Sequence, residues 1–142
     1  AVASVTPKEI DQINILNASF LAMTKAIKNL SIAPELILVD GNRFKSKIKT
    51  PHRCIIKGDS KFLSIAAASI LAKTYRDDYM KKLDKRFPHF NWRQNKGYPT
   101  LEHRKAIEVH GITNHHRHSF RMSPKPKEID SKLTDLKLKK SR

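Results

Sequence analysis

The chain has 142 residues, enough for one domain and short for two, and carries a formal net charge of +16 from 29 Lys and Arg against 13 Asp and Glu. That imbalance repels itself on compaction and attracts polyanions, with nucleic acid ahead of ribosomal or membrane surfaces. A single cysteine, Cys54, excludes an internal disulfide framework. No apolar run approaches the roughly 20 residues that span a bilayer, and no signal peptide is evident, so the expectation is a soluble cytoplasmic protein.

The opening Ala1-Val2-Ala3-Ser4-Val5-Thr6 alternates like a strand already under way, which implies further chain upstream. Thr6-Pro7-Lys8-Glu9 then reads as a helix start, with Thr6 as cap, Pro7 at the first position and Glu9 closing a capping box. Ile10, Ile13, Leu16, Phe20, Met23, Ile27 and Leu30 give that helix one apolar face, ending before Pro34. Leu36-Ile37-Leu38-Val39 has the length and continuity of a buried parallel strand and stops at the Asp40-Gly41 turn. Residues 42–53 are basic and irregular.

Cys54-Ile55-Ile56 is expected as a second buried strand, leading through Lys57-Gly58-Asp59 into a long helix over about residues 60–87. Ile65, Ala68, Ala72, Tyr75, Tyr79 and Leu83 should face the interior, and Ala66-Ala67-Ala68 should let the helix backbone approach its neighbour closely. Pro88 ends it. After a loop with Trp92 and Tyr98, Thr100 caps a helix over 101–110 that Gly111 terminates. Residues 123–142 read as a basic, disordered tail, with seven Lys and Arg against three acids. The remaining +12 belongs to the folded part, expected as one domain over 1–122.

Asp40 and Asp59 each follow an apolar strand. If the strands are parallel neighbours, both carboxylates reach one edge of the sheet, where a hard cation such as Mg²⁺ relieves their repulsion. The competing reading is that Asp40 supports a turn and Asp59 caps a helix, and spacing alone leaves both open. Two carboxylates are also few for holding two ions roughly 4 Å apart. Asp77 and Asp78 lie too far along the helix to join them and read as solvated or paired with Lys73 and Arg76. Lys57-Gly58-Asp59-Ser60-Lys61 lacks the spacing of a phosphate-binding loop. Tyr98, between Gly97 and Pro99, could stack on a sugar or base or anchor its loop. Trp92 reads as packing. His103, His110, His115, His116 and His118 read as a basic, nucleic-acid-facing edge rather than a zinc site.

Taken together and in order, these segments resemble bacterial ribonuclease HII: Leu38-Val39-Asp40-Gly41-Asn42-Arg43, Ile56-Lys57-Gly58-Asp59-Ser60, Ile65 through Lys73, Arg76-Asp77, Lys96-Gly97-Tyr98, and His116-Arg117 with Ser119-Phe120. The early Ile10-Asp11-Gln12-Ile13-Asn14-Ile15-Leu16 matches as well, so the likeness runs over about 3–122. The resemblance implies an α/β, RNase H-like fold, truncated at its N-terminus, with C-terminal helices and a basic tail. It implies Mg²⁺- or Mn²⁺-dependent cleavage of RNA in RNA/DNA hybrids and at single ribonucleotides in duplex DNA, by an enzyme monomeric when full-length. Asp40 and Asp59 match two of the family's four metal-binding acids. Tyr98 matches the tyrosine that packs at the RNA–DNA junction and senses the ribose 2′-OH, and Lys57 joins it as a substrate contact.

The sequence departs from the family at one place above all. The other two acids, an Asp-Glu pair on the first strand, and the Gly-Arg-Gly turn after it have no counterpart. Glycine occurs only at 41, 58, 97 and 111. The expectation is therefore a chain inactive by itself, the alternative being a non-catalytic, basic nucleic-acid-binding remnant. Pro99 also stands where the family usually has glycine.

Overall fold

A computed structural model describes residues 1–119, so the expected tail at 123–142 lies outside the described residues. Among the described residues the architecture is mixed α/β, with a two-stranded parallel sheet and four α-helices.

Helix α1 (Pro7–Lys28) begins with the capping box that the sequence encodes: Glu9 N–H donates to Thr6 Oγ1 at 3.2 Å and Thr6 N–H to Glu9 Oε2 at 2.8 Å. The six residues before it form no strand, so the alternation of Ala1–Thr6 did not translate into pairing. A strand needs a neighbour for its backbone groups, and none of the described residues supplies one there. The helix is also broken once, at Asn14, whose φ of 65° and ψ of 166° are not helical. Asn14 Oδ1 accepts from Asn17 N–H at 3.1 Å, so it caps the second half.

Strands β1 (Ile37–Asp40) and β2 (His52–Ile55) pair in parallel, with Ile37 opposite His52 and Asp40 opposite Ile55. The second strand starts two residues earlier than its apolar run suggests, because His52 and Arg53 pair through backbone alone and stay exposed. Ile37 and Val39 point from β1 into a core with Phe20 of α1 and Phe44 of the crossover loop.

A short 3₁₀ turn (Gly58–Ser60) leads to α2 (Leu63–Arg86), and a second one (Pro88–Phe90) to α3 (Trp92–Asn95). Helix α4 (Leu101–His110) has the expected limits, with His103 N–H donating to Thr100 Oγ1 and Gly111 at its end. Met80 and Leu83 of α2 pack with Phe90 and Trp92 in a second core. Helix α2 thus spans the molecule, with the sheet near its start and the aromatic core near its end.

The expected buried face of α2 is largely uncovered. Ile65 and Leu83 are buried as anticipated, but Tyr75 and Tyr79 are 60% and 48% exposed. Ala67, Ala68 and Ala72 are exposed too, and of the alanine run only Ala66 is half-buried, so the expected close approach is mostly missing among the described residues. Residues near the two ends of the described segment are joined: the Asp11 carboxylate accepts from the backbone N–H groups of His118 and Ser119, at 2.8 and 3.1 Å, and from the Ser119 hydroxyl. The Ser119 hydroxyl is the main cause of the lowered Asp11 pKa, opposed by desolvation.

Candidate active site

Asp40 is the last residue of β1 and lies level with Ile55 on the neighbouring strand. Gly41 N–H continues the ladder by donating to Ile55 O at 2.9 Å, so both strands deliver their carboxyl ends to one edge. There Gly58 N–H donates to Asp40 Oδ1 at 2.8 Å. The carboxylate of the first strand is thereby fastened to the turn that carries Asp59.

That turn is tight for definite reasons. Lys57 adopts a left-handed conformation, φ 54° and ψ 46°, and its carbonyl accepts from the hydroxyl of Ser60 at 2.8 Å. Gly58 is buried, and a Cβ added to it would sit 2.7 Å from Ile65 Cδ1 and 3.5 Å from Asp40 Oδ1. It is Ile65, not the carboxylate, that leaves no room for a side chain here, since 3.5 Å is ordinary contact and 2.7 Å is not. Asp59 is exposed, and its Oδ1 accepts from Ser60 N–H at 2.9 Å. It does not cap α2, whose N-cap is Phe62 with no side-chain bond. The helix-cap alternative for Asp59 is thus not how the side chain is used.

Carboxylate oxygens are the hard donors that Mg²⁺ and Mn²⁺ take, so the donor type fits such an ion. Their number falls short of a two-ion centre: no group of three or more His, Cys, Asp or Glu is placed to hold a metal ion among the described residues. Asp77 is half-buried, and Asp78 pairs with Lys81 at 2.9 Å rather than with Arg76 or Lys73.

Tyr98 stands elsewhere along α2. The residue is 69% exposed, more than a partly buried loop anchor would be. The loop beneath it is fixed: Gly97 N–H donates to Asn95 Oδ1 at 2.9 Å, Tyr98 N–H to Asn95 O at 2.7 Å, and Arg76 Nη2 to Lys96 O at 2.9 Å. Arg76 lies 13 residues beyond Leu63, about 20 Å along the helix axis. Asp40, Lys57 and Asp59 therefore share one corner, and Tyr98 is held by the middle of α2. Nothing in the sequence pattern marked Asn95 or Arg76 as the residues that hold this loop; their polar groups find backbone partners only in three dimensions.

The histidines are not a single basic edge. His103 and His116 are 4% and 6% exposed, stacked at 5.4 Å and packed on Phe90 and Trp92. Desolvation lowers the pKa of both, that of His116 to about 4. Aromatic neighbours, not charge, decided where these two went. Trp92 packs, as its residue type suggested.

The ribonuclease HII family profile matches residues 2–123. The chain belongs to the ribonuclease HII family. A ribonuclease HII of Christiangramia forsetii is 60% identical over 129 residues, covering 91% of this chain and 65% of its own length. One from Phocaeicola vulgatus is 61% identical over 122 residues, 86% of this chain and 61% of its own. One from Cytophaga hutchinsonii is 53% identical over 130 residues, 91% of this chain and 63% of its own. The chain thus spans less than two thirds of the length of these curated relatives. With the family known, the α/β layout reads as part of an RNase H-like fold. No helix among the described residues is long and apolar enough to cross a membrane.

Proposed function

We propose that this chain carries one side of the centre of a metal-dependent endoribonuclease of the ribonuclease HII type. Its substrates in this reading are RNA/DNA hybrids and duplex DNA with single embedded ribonucleotides. The observation that supports it is the Gly58 N–H to Asp40 Oδ1 bond of 2.8 Å, which ties the end of β1 to the turn bearing Asp59. Asp40 and Asp59 would hold Mg²⁺ or Mn²⁺; when bound, such an ion supplies positive charge for the attacked phosphate and the leaving oxygen.

The chain's own residues do the rest of what can be derived. Gly58 N–H donates to one oxygen of the exposed Asp40 carboxylate, which restrains that side chain at the sheet edge. Lys57, exposed at the same turn, offers a cation to a substrate phosphate. Tyr98 offers an exposed ring on a braced loop, suited to stacking beside a ribose. The domain assigned to this activity covers residues 1–122, and a cytoplasmic, monomeric full-length enzyme belongs to the same reading.

By itself the 142-residue chain should not cut, since it offers two carboxylates where the family's centre uses four. A second reading, a non-catalytic nucleic-acid-binding protein, draws on the lack of a third ligand in any one place among the described residues. Nicking of a duplex with one embedded ribonucleotide separates the two. Addition of a family segment bearing the Asp-Glu pair and the Gly-Arg-Gly turn should restore Mg²⁺-dependent nicking, and Asp40→Asn or Asp59→Asn should abolish it. Salt-sensitive binding without nicking, with or without that segment, would leave only the second reading.

A further inference from the structure

The crossover between β1 and β2 has a regular feature that the carboxylate turn does not use. Arg43, Lys45, Lys47 and Lys49 are exposed, while the residues between them, Phe44, Ser46 and Ile48, are turned inward. Arg53 continues the exposed series on β2. Between Asp40 and Asp59 there is no acidic residue at all. None of these cations enters an ion pair among the described residues, whose pairs are Lys25–Glu9 and Lys81–Asp78.

The inward residues make the loop a fixed ridge. Phe44 is 7% exposed and meets Phe20 and His52 edge-on at 5.8 and 5.4 Å. Ser46 Oγ accepts from Thr24 Oγ1 at 3.0 Å and from Ile48 N–H at 3.2 Å, and Ile48 packs on the core of Phe20 and Val39. A charge run held only by solvation needs no such anchors at alternate positions. The exposed cations recur at every second residue from Arg43 to Lys49, a stretch of chain that reaches at most about 20 Å, and such a series suits an extended polyanion better than a small one. Duplex DNA presents about one charge per 1.7 Å of its axis, enough to meet every cation on such a line.

We propose that residues 43–53 form a second nucleic-acid contact, a braced ridge whose cations grip the sugar–phosphate backbone of a duplex running on from the Asp40–Asp59 turn. The choice of nucleic acid as the partner rests on the ribonuclease reading, because the ridge starts three residues after Asp40 and continues from that corner. Backbone contacts carry no sugar or sequence information, so the ridge should hold DNA duplex and RNA/DNA hybrid alike.

The test is a salt titration of duplex binding by the 142-residue chain in EDTA, comparing wild type with the triple variant K45Q/K47Q/K49Q. Three lost phosphate contacts lower the slope of log K against log salt by up to about 2.7 for B-DNA. The loss should appear with both duplexes and exceed that of K81Q/K82Q/K85Q, which removes equal charge from the far part of α2. Circular dichroism and Trp92 fluorescence matching wild type confine the effect to binding. An unchanged slope, a loss no greater than the α2 control, or no duplex binding by wild type would overturn the proposal. So would a loss of binding to phosphatidylserine vesicles with duplex binding intact. Because EDTA removes divalent metal ions, failure of nicking at Asp40 and Asp59 leaves this measurement standing, and failure here leaves nicking to be judged separately.

Discussion

The corner of the candidate site depends on the missing side chain of Gly58. A methyl group there would meet Ile65 Cδ1 at 2.7 Å, well inside contact distance, and would lie 3.5 Å from Asp40 Oδ1. Ile65 is 7% exposed, so its end atom has little room to yield. Gly58→Ala should cost about 1–3 kcal/mol by overpacking. Ile65→Val removes the clashing atom, so the double variant G58A/I65V should recover part of the loss beyond additivity, read from urea midpoints in a double-mutant cycle. Strict additivity would mean that the clash is not the cause. Lys57 beside it bears a different cost. A left-handed lysine is disfavoured by about 1–2 kcal/mol relative to the right-handed form, and here the turn keeps it in that state. A residue that could be replaced by glycine to advantage, yet keeps an exposed amine, is consistent with a role for the amine.

At the scale of elements, the helices were the more legible part. Thr6-Pro7-Lys8-Glu9 and Thr100 with Gly111 encode their helix ends in short-range chemistry, and the structure places those ends there. Strand order was legible only through the apolar runs after which Asp40 and Asp59 fall. The break at Asn14 was not, because an asparagine within an apolar period looks like any solvent-facing position until its carboxamide is seen capping Asn17. Burial of His103 and His116 was likewise hidden, since it depends on Phe90 and Trp92 arriving from another element. That burial predicts a pH dependence. His116 Nδ1 accepts from Thr113 N–H at 3.0 Å, which puts the proton of the neutral ring on Nε2, a buried atom without a hydrogen-bond partner among the described residues. The folded pKa, about 4, is below the ordinary 6.5, so the unfolded chain binds more protons between these values. The contribution is complete above pH 6.5 and is lost as pH falls toward 4, by no more than about 3.5 kcal/mol at roughly 1.4 per unit. Denaturant unfolding at pH 7 and pH 5 should show this decline in wild type and a smaller one in His116→Leu. An equal decline in both would assign it to other groups.

The whole molecule is less closed than its local order suggests. Leu63, Ile70, Leu71 and Tyr75 of α2 are 86%, 65%, 62% and 60% exposed, and helical spacing puts them along one stretch of surface. Leu36 and Ile56 beside the sheet are 48% and 64% exposed. A parallel pair of four-residue strands has little stability of its own, and large contiguous apolar patches on soluble proteins mark surfaces that another segment covers. The two cores are joined chiefly by α2 and by the Asp11 clasp to His118 and Ser119, so either can loosen without the other. The 142-residue chain alone should therefore bind a hydrophobic dye, associate as its concentration rises and unfold over a broad range. I70Q/L71Q should reduce dye binding and association with little loss of stability, within about 0.5 kcal/mol, since both side chains are already in water. The family segment with the Asp-Glu pair should suppress dye binding and sharpen the transition in wild type, and do so less well in I70Q/L71Q, whose apolar surface it would have to bury. A sharp, concentration-independent transition of the chain alone, without dye binding, would mean that the exposed stretch of α2 is tolerated as it stands.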